Sequence, residues 1–442
     1  MKKQILLFTA ALLFCIVSTF AQGGTTGPLT WKINNGTLTI SGEGAMPDYY
    51  WLTPKPWYDY KDNIHTLVIE NGVTKIGFYA FISFSNLTSV SIANTVLSIG
   101  ESAFQDCKSL PSITFPNGLI SIDQVAFYGC SALSSVFISK SVTNIEPSVF
   151  SACYSLTSFE VDTESNYYSS ENGVLFNKDK TILAHYPTGK SGAYAIPNSV
   201  KTIGEAAFSY CINLTSVTIP NSVETIEVSA FAFCTSLTSI IIPNSVAGIE
   251  LGVFFQCTNL TSIIIPNNVT SIKEFTFHDC TSLTSITIPN SITKIENTAF
   301  SNCTSLKLIT NLNPVPVNIG YNVFDGVNQS TCTLEVPMNS VAAYKEANIW
   351  KNFKIKGIDV GITSPESLQL SVYPNPTTGE LHVTRDALHV TNVEVFDIYG
   401  KRHASHVTCH ENIIDITHLS KGLYFIKLTT ENGIFIEKII KN

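Results

Sequence analysis

Along most of this chain, one apolar position recurs at a fixed interval. Phe81, Phe104, Phe127 and Phe150 stand 23 residues apart, and after a gap of 58 the series resumes at Phe208, Phe231, Phe254, Phe277 and Phe300. Three residues after most of them comes a cysteine (Cys107, Cys130, Cys153, Cys211, Cys234, Cys257, Cys280, Cys303), and Phe84 fills that slot in the first copy. Each copy opens with a run such as Leu214-Thr-Ser-Val217-Thr-Ile219-Pro220, repeated from Leu237, Leu260 and Leu283. Alternation of side chains puts Val217 and Ile219 on one face of a short strand. Pro220 has no N–H and ends the pairing, Asn221-Ser222 supplies a turn, and Val223 and Ile226 give a second short extended segment. Ala230, Phe231 and Cys234 then bring the return side inward. One copy buries too little to offset the ordering of its own backbone, so copies must stack and share faces: a solenoid.

The gap of 58 keeps the register, because removing one 23-residue copy leaves a longer copy of 35 that begins normally at Leu156-Thr-Ser-Phe159. Within it, Gly173-Val-Leu-Phe176, Asn177-Lys-Asp-Lys180 and Thr181-Ile-Leu-Ala184 read as an inserted hairpin. Rungs start near Ile64, Leu87, Leu110, Leu133, Leu156, Ser191, Leu214, Leu237, Leu260, Leu283 and Leu306. At roughly 4.8 Å per rung they make a rod or shallow arc about 50 Å long. Residues 29–41 read as a hairpin capping one end. At the other, Ser340 is expected to cap a short amphipathic helix carrying Val341, Tyr344, Trp350 and Phe353.

The Ile-Pro-Asn-Ser-Val turn, the Ala-Phe-x-x-Cys segment and the Leu-x-x-Ile-x-Ile strand resemble the leucine-rich repeats of BspA-like bacterial surface proteins. The flanks Gly36–Met46 and Leu334–Trp350 are also similar to that family's, so the resemblance covers about residues 25–358. It implies a repeat surface for adhesion or recognition and brings no catalytic residues with it.

From Leu370 the register is gone, and short alternating strands spaced as in a β-sandwich follow. Tyr373-Pro374-Asn375-Pro376-Thr-Thr-Gly379, Val395-Phe-Asp-Ile-Tyr-Gly400-Lys401 and Leu419-Ser-Lys-Gly422-Leu-Tyr424-Phe425 resemble a type A sorting domain of the type IX secretion system. The resemblance implies that residues 371–442 engage that machinery. It also implies passage across the outer membrane of a Bacteroidetes cell and cleavage by a sortase-like peptidase, with release or lipopolysaccharide anchoring. The expected fold is therefore mainly β: a leucine-rich-repeat solenoid of 23-residue rungs with N- and C-terminal caps, then a small Ig-like β-sandwich. The expected boundaries are 1–21 signal peptide, 22–63 N-terminal cap, 64–330 solenoid with its long rung and hairpin at 156–190, 331–358 C-terminal cap, 359–370 linker and 371–442 sorting domain.

Lys2 and Lys3, an apolar run from Ile5 to Phe20 and Ala21 read as a secretory signal peptide cut after Ala21. That run is short for a membrane span and no second one exists, so the mature chain is expected to span no membrane. Its destination would be secretion or the outer cell surface. Of 442 residues, 44% are hydrophobic and only 14% charged, enough apolar content for substantial cores. Lys+Arg 26 against Asp+Glu 34 gives −8, which argues against nucleic acid as a partner.

The cysteine file invites disulfides, but equivalent Cβ atoms on stacked rungs sit about 4.8 Å apart, beyond the reach of a bridge. Buried free thiols are expected, with some bridging as the alternative. His403, His406 and His410 beside Cys409 have a spacing similar to a metal site, or lie on a polar surface strand. A column of Gly100, Asp123, Glu146, Gly204, Glu227, Glu250, Lys273 and Glu296 reads as a solvated turn edge. Its adjacent carboxylates are also suited to calcium or an acid/base pair. No cofactor motif and no catalytic set appears.

Strand alternation sends two positions per rung outward onto an open sheet, the expected concave face. One is a serine column that includes Ser239 and Ser262. The other varies, with Phe137, Thr218, Ile241, Ile264 and Thr287 among its members. Ile241 and Ile264 should touch and form an exposed apolar patch flanked by hydroxyls, unless the 173–184 hairpin folds over it. The expected function is an adhesin or recognition module for a host or microbial surface protein or glycan. The alternatives are a structural surface or biofilm component without a ligand and, last, a hydrolase with a pocket near residues 165–190.

Overall fold

The computed structural model describes residues 22–50 and 53–359 and, in the C-terminal part, 372–373, 377–378, 380–383, 390–397, 403, 409–410, 413–430 and 433–442. The signal-peptide reading lies outside these residues. Each rung contributes one strand to a first parallel sheet, as in Leu214–Thr218, Ser239–Ile241, Ser262–Ile264 and Ser285–Ile288. Two residues near the second turn form a shorter parallel strand, as in Thr225–Ile226 and Gly248–Ile249. The turn between the two strands closes on the proline carbonyl, which accepts the N–H of Val223, Val246, Val269 or Ile292 three residues on.

The return side has no strand, yet its backbone is satisfied across rungs. Phe231 N–H donates to the Val253 carbonyl at 2.9 Å, and the residues two before and two after it, Ser229 and Phe233, donate to Leu251 and Phe255. Those two flanking positions lie in the left-handed region in rung after rung, for instance Ser229 (φ 54) and Phe233 (φ 61), or Ala206 (φ 54) and Tyr210 (φ 62). The phenylalanine between them points inward.

Those phenylalanines form a continuous file. Phe208, Phe231, Phe254, Phe277 and Phe300 follow one another at centroid spacings of 4.8, 5.7, 5.7 and 5.2 Å with rings within 12° of parallel. Phe81, Phe104, Phe127 and Phe150 stack at 5.5, 5.2 and 5.8 Å, with ring planes 29°, 7° and 13° apart. Trp57 stacks on Phe81 at one end, and Phe324 extends the file to Trp350 and Phe353 at the other. Beside it run the cysteines as buried free thiols. Cys234 donates to the Phe208 carbonyl at 3.1 Å, Cys257 to Phe231 at 3.2 Å and Cys280 to Phe254 at 3.2 Å. The file is thus an apolar filler with a weak donor aimed at a carbonyl of the rung before.

The long rung is not a flap. Tyr168–Glu171, Val174–Asn177 and Ile182–His185 form an antiparallel meander, and its last strand pairs in parallel with Thr202–Ile203. Val174, Leu175 and Phe176 are all buried, and they feed two cores. Leu175 joins the core that runs from Leu29 to Phe159, while Val174 and Phe176 join the one that runs to Phe353. The middle strand is therefore a partition between two stacks. Here Tyr186 takes the phenylalanine slot and stacks on Phe208 at 4.9 Å, while buried His185 meets Phe150 edge-on at 6.0 Å.

At the N-terminal end, Leu29–Asn34 and Thr37–Gly42 form the expected hairpin, with Gln22–Thr26 added at its edge. The C-terminal cap differs from expectation. Its helix spans only Val341–Glu346, because Ile349 turns into a positive φ of 68° and Trp350–Asn352 is a separate 3-10 turn. The Ser340 hydroxyl does not cap that helix; it donates to the Pro314 carbonyl at 2.7 Å. Tyr344 and Trp350 still seal the end, donating to the Asn313 and Val317 carbonyls.

Burial pushes the thiols of Cys130, Cys257 and Cys303 up to about 12. A thiol raised in the fold contributes stability below its unfolded value that is lost as pH climbs toward the folded one, at about 1.4 kcal/mol per unit per thiol. Urea midpoints should hold near neutrality and fall steeply above about pH 9, and folded protein should resist a thiol reagent that labels the unfolded chain. A flat profile with rapid labelling of the folded form would contradict this. Burial has the opposite effect on His185, whose value drops to about 4 despite a hydrogen bond to the Glu146 backbone. That stability is present above about 6.5 and is lost as pH falls through the folded value, on the order of 3 kcal/mol in all. His185→Phe should therefore gain on the wild type progressively as pH drops from about 7 to 4.5; a constant difference would contradict the assignment.

Candidate functional site

The outward positions of the first sheet form straight columns, because parallel pairing is in register. Ser239 faces Ser262 and Ser262 faces Ser285, while Ser216, next in the column beside Ser239, is buried. Two residues on, Thr218 faces Ile241, Ile241 faces Ile264, and Ile264 faces Thr287. Ile264 is 39% exposed and Ile241 half-buried, so the two isoleucines form an open apolar step between hydroxyl-bearing rungs. The meander of the long rung is built into the stack, and it does not lie over these residues. Farther along, the column ends in charge: Thr310 faces Glu335, and Lys356 pairs with Glu335 at 2.9 Å.

Phe137 is also outward, at 44% exposure, but the structure does not bring it to the isoleucines. It lies between Thr114 and Glu160 on a three-stranded sheet that stops at Ser158–Val161, on the other side of the partition. The open face is thus two separate surfaces.

The acidic column is a file one residue wide. Burial raises the Asp123 carboxyl first, and its neighbours Glu146, Asp48 and Glu101 add to this against the opposing Lys75. At Glu296 burial acts in the same sense but is outweighed by Lys294 and Lys273, which hold that carboxyl below its ordinary value. Lys273 turns to Glu296, at 3.5 Å. Among the described residues, no three His, Cys, Asp or Glu side chains are grouped to hold a metal ion. Around residues 165–190, Ser165 and His185 are buried with the meander, and Glu171 pairs with Lys180. Two open depressions elsewhere are polar, one over Lys32, Asn34 and Thr37 and one over Glu70, Asn71 and Asn94.

In the C-terminal part, antiparallel strands form a four-stranded and a three-stranded sheet. Leu381 and Ile414 of the first pack with Val395, Tyr424, Ile426, Leu428 and Ile439 of the second in one core. Gly422 opens the strand Gly422–Thr430, and Tyr424 is buried with its hydroxyl donating to the Ser420 carbonyl at 2.9 Å. Pro374, Asn375, Pro376, Gly379, Gly400 and Lys401 of the sorting motif lie outside the described residues, as does His406. His403 contacts Asp397 at 3.0 Å. No described helix is long and apolar enough to cross a membrane.

Comparison with known proteins agrees with this architecture. A leucine-rich repeat protein from Eubacterium ventriosum is 29% identical, with a TM-score of 0.60 over 70% of this chain and 95% of that one. The pneumococcal vaccine antigen PcpA is 20% identical and shares the fold, with a TM-score of 0.56 over 76% of this chain and 98% of that one. No curated protein matches. Residues 371–442 match a secretion system C-terminal sorting domain, which directs export by type IX secretion to the cell surface or outside. Residues 54–177, 186–307 and 270–360 match the BspA type leucine rich repeat region, in six copies, and the chain belongs to that family.

Proposed function

We propose that the exported chain is a surface recognition module, an adhesin, whose first sheet binds a host or microbial protein or glycan. The observation that carries this reading is the registered pair Ile241–Ile264, an exposed apolar step bounded by Thr218, Thr287, Ser239 and Ser262. Large apolar side chains held outward on a rigid sheet are left out of the core, and a partner covering them would gain the burial of their open faces. The hydroxyls on either side offer donors and acceptors that fix the partner's orientation. The reading assigns no catalytic residue, because identical rungs set chemistry in columns one residue wide and do not converge it on one reacting atom. Phe137 belongs to it only as a separate contact on the other surface.

Ile241→Glu combined with Ile264→Glu should leave a cooperative melting transition in place, since neither side chain belongs to the core. Binding to whole host or microbial cells, and to whichever glycan or matrix protein scores on an array, should weaken about tenfold or more. Unchanged binding by the folded double variant would overturn the assignment of this face.

A further inference from the structure

A second aromatic file runs on the outside of the return turns, on a different part of each rung from the sheet. Tyr210 and Phe233 stack at 4.1 Å and 12°, Phe233 meets Phe255 edge-on at 5.2 Å, and Phe255 stacks on His278 at 5.2 Å. These four rings belong to rungs of the C-terminal stack. The fifth ring does not. Tyr128 follows Phe127 of the N-terminal core, Tyr210 comes two residues after Phe208 of the C-terminal one, and the two phenols meet at 5.4 Å and 83°. Two rungs lie between them, the one built on Phe150 and the long one, where Tyr186 takes the phenylalanine slot. Ser151 and Ala152, which follow Phe150, are short and buried, so the two tyrosines have room to reach across.

It is the phenol ends of the rings that meet. Burial first, and then the Tyr210 hydroxyl, raise the Tyr128 phenol, while the Tyr128 hydroxyl works in the opposite sense on Tyr210. Tyr210 stands in the left-handed region at φ 62, where Gly129 and Ala152 serve in equivalent turns, and Phe233 stacks on it. Bulky side chains are unusual in that conformation, and here backbone and stacking together hold the ring toward Tyr128. Both tyrosines are half-buried, so a small solute still reaches them. The thiols of the same rungs, Cys130, Cys153 and Cys211, are fully buried and cannot intercept an oxidant first.

We propose that Tyr128 and Tyr210 are an oxidative modification site, two phenols placed to be joined ortho carbon to ortho carbon by a peroxide acting through a one-electron catalyst. Each phenol gives up one electron and its hydroxyl proton, the two radicals form the carbon–carbon bond, and each ring returns its ortho hydrogen to its own oxygen. The peroxide takes up the two electrons and two protons and leaves as two waters. The new bond ties the N-terminal stack to the C-terminal one on the return side and closes a long loop of chain that contains the whole meander. Closing that loop removes freedom from the unfolded chain and stabilises the folded one. An exported rod meeting peroxide is thereby stapled at the partition between its stacks.

The test is peptide mapping by mass spectrometry of the full chain after treatment with a haem peroxidase and one equivalent of hydrogen peroxide. A joined pair of peptides holding Tyr128 and Tyr210, lighter than its parts by two hydrogens, is expected as the main link among the 17 tyrosines, with dityrosine fluorescence in the monomer fraction. Tyr128→Phe and Tyr210→Phe keep the rings and should each lose both signals, whereas Tyr321→Phe, which removes an 83% exposed phenol, should keep them. The same dose given to the urea-unfolded chain should scatter links over other tyrosines. The linked native chain should unfold at a higher urea concentration than the unlinked one. Absence of the Tyr128–Tyr210 link in the folded chain, a main link made instead to exposed Tyr154 or between molecules, or undiminished fluorescence in Tyr128→Phe would each overturn the proposal.

Discussion

Contact between one rung and the next is what this molecule depends on. A single copy has its inward side chains in a ring too thin to exclude water, and its backbone groups point along the axis with nothing to meet. Stacking answers both needs at once. The Phe208–Phe231–Phe254 file excludes water from the middle, and N–H groups from the strand and the return turn find carbonyls on the neighbouring rung. Even the thiols take part, as Cys234 and Cys257 each add a weak bond to a phenylalanine carbonyl one rung away. The ends, where no further rung exists, are closed by Trp57 and by Trp350 with Phe353.

Translation along the axis also shapes what such a chain can do. Whatever one rung shows, the next shows again about 5 Å away, so side chains form columns and charge forms stripes. Specificity must come from departures within a column, and these are where the informative residues sit: two isoleucines among threonines on the sheet, and tyrosine and phenylalanine among glycine, alanine and asparagine on the turns. The long rung divides the rod into two stacks that share one strand, so each open sheet face belongs to one stack or the other.

Much of this was legible in the residues because the inward positions tolerate so little variation. Phenylalanine and the cysteine three residues after it mark every regular copy but the first, the Ile-Pro turn marks those from Ile196 to Pro289, and the facing of Ile241 and Ile264 follows from alternation alone. Trp57, Tyr186 and Phe324 escaped the pattern: each fills the same file but is either another aromatic or one residue out of step. The inserted hairpin is legible in the sequence, and what its turn residues leave open is whether it covers the sheet face or joins the stack. An unbroken apolar run, Val174-Leu175-Phe176, is the mark of a strand buried on both faces, and it was available to be read. The outer aromatic file carries no fixed spacing, since Tyr128 and Phe255 follow the inner phenylalanine by one residue and Tyr210 and Phe233 by two. Only the left-handed turn geometry brings them together. Ser340 looked like a helix cap by type, yet its hydroxyl is drawn to Pro314 by the packing of the cap against the last rung.

Removing one whole copy tests the dependence on stacking most directly. Deletion of residues 237–259, one full 23-residue period, should join rungs in register and leave a shorter protein with one rung fewer and its fold intact. Deletion of residues 237–248 removes only about half a period, leaves Phe254 and Cys257 in a rung without its first strand, and should destabilise the C-terminal stack strongly. Circular dichroism and urea unfolding of the two proteins decide it; equal stability for both deletions would contradict the account.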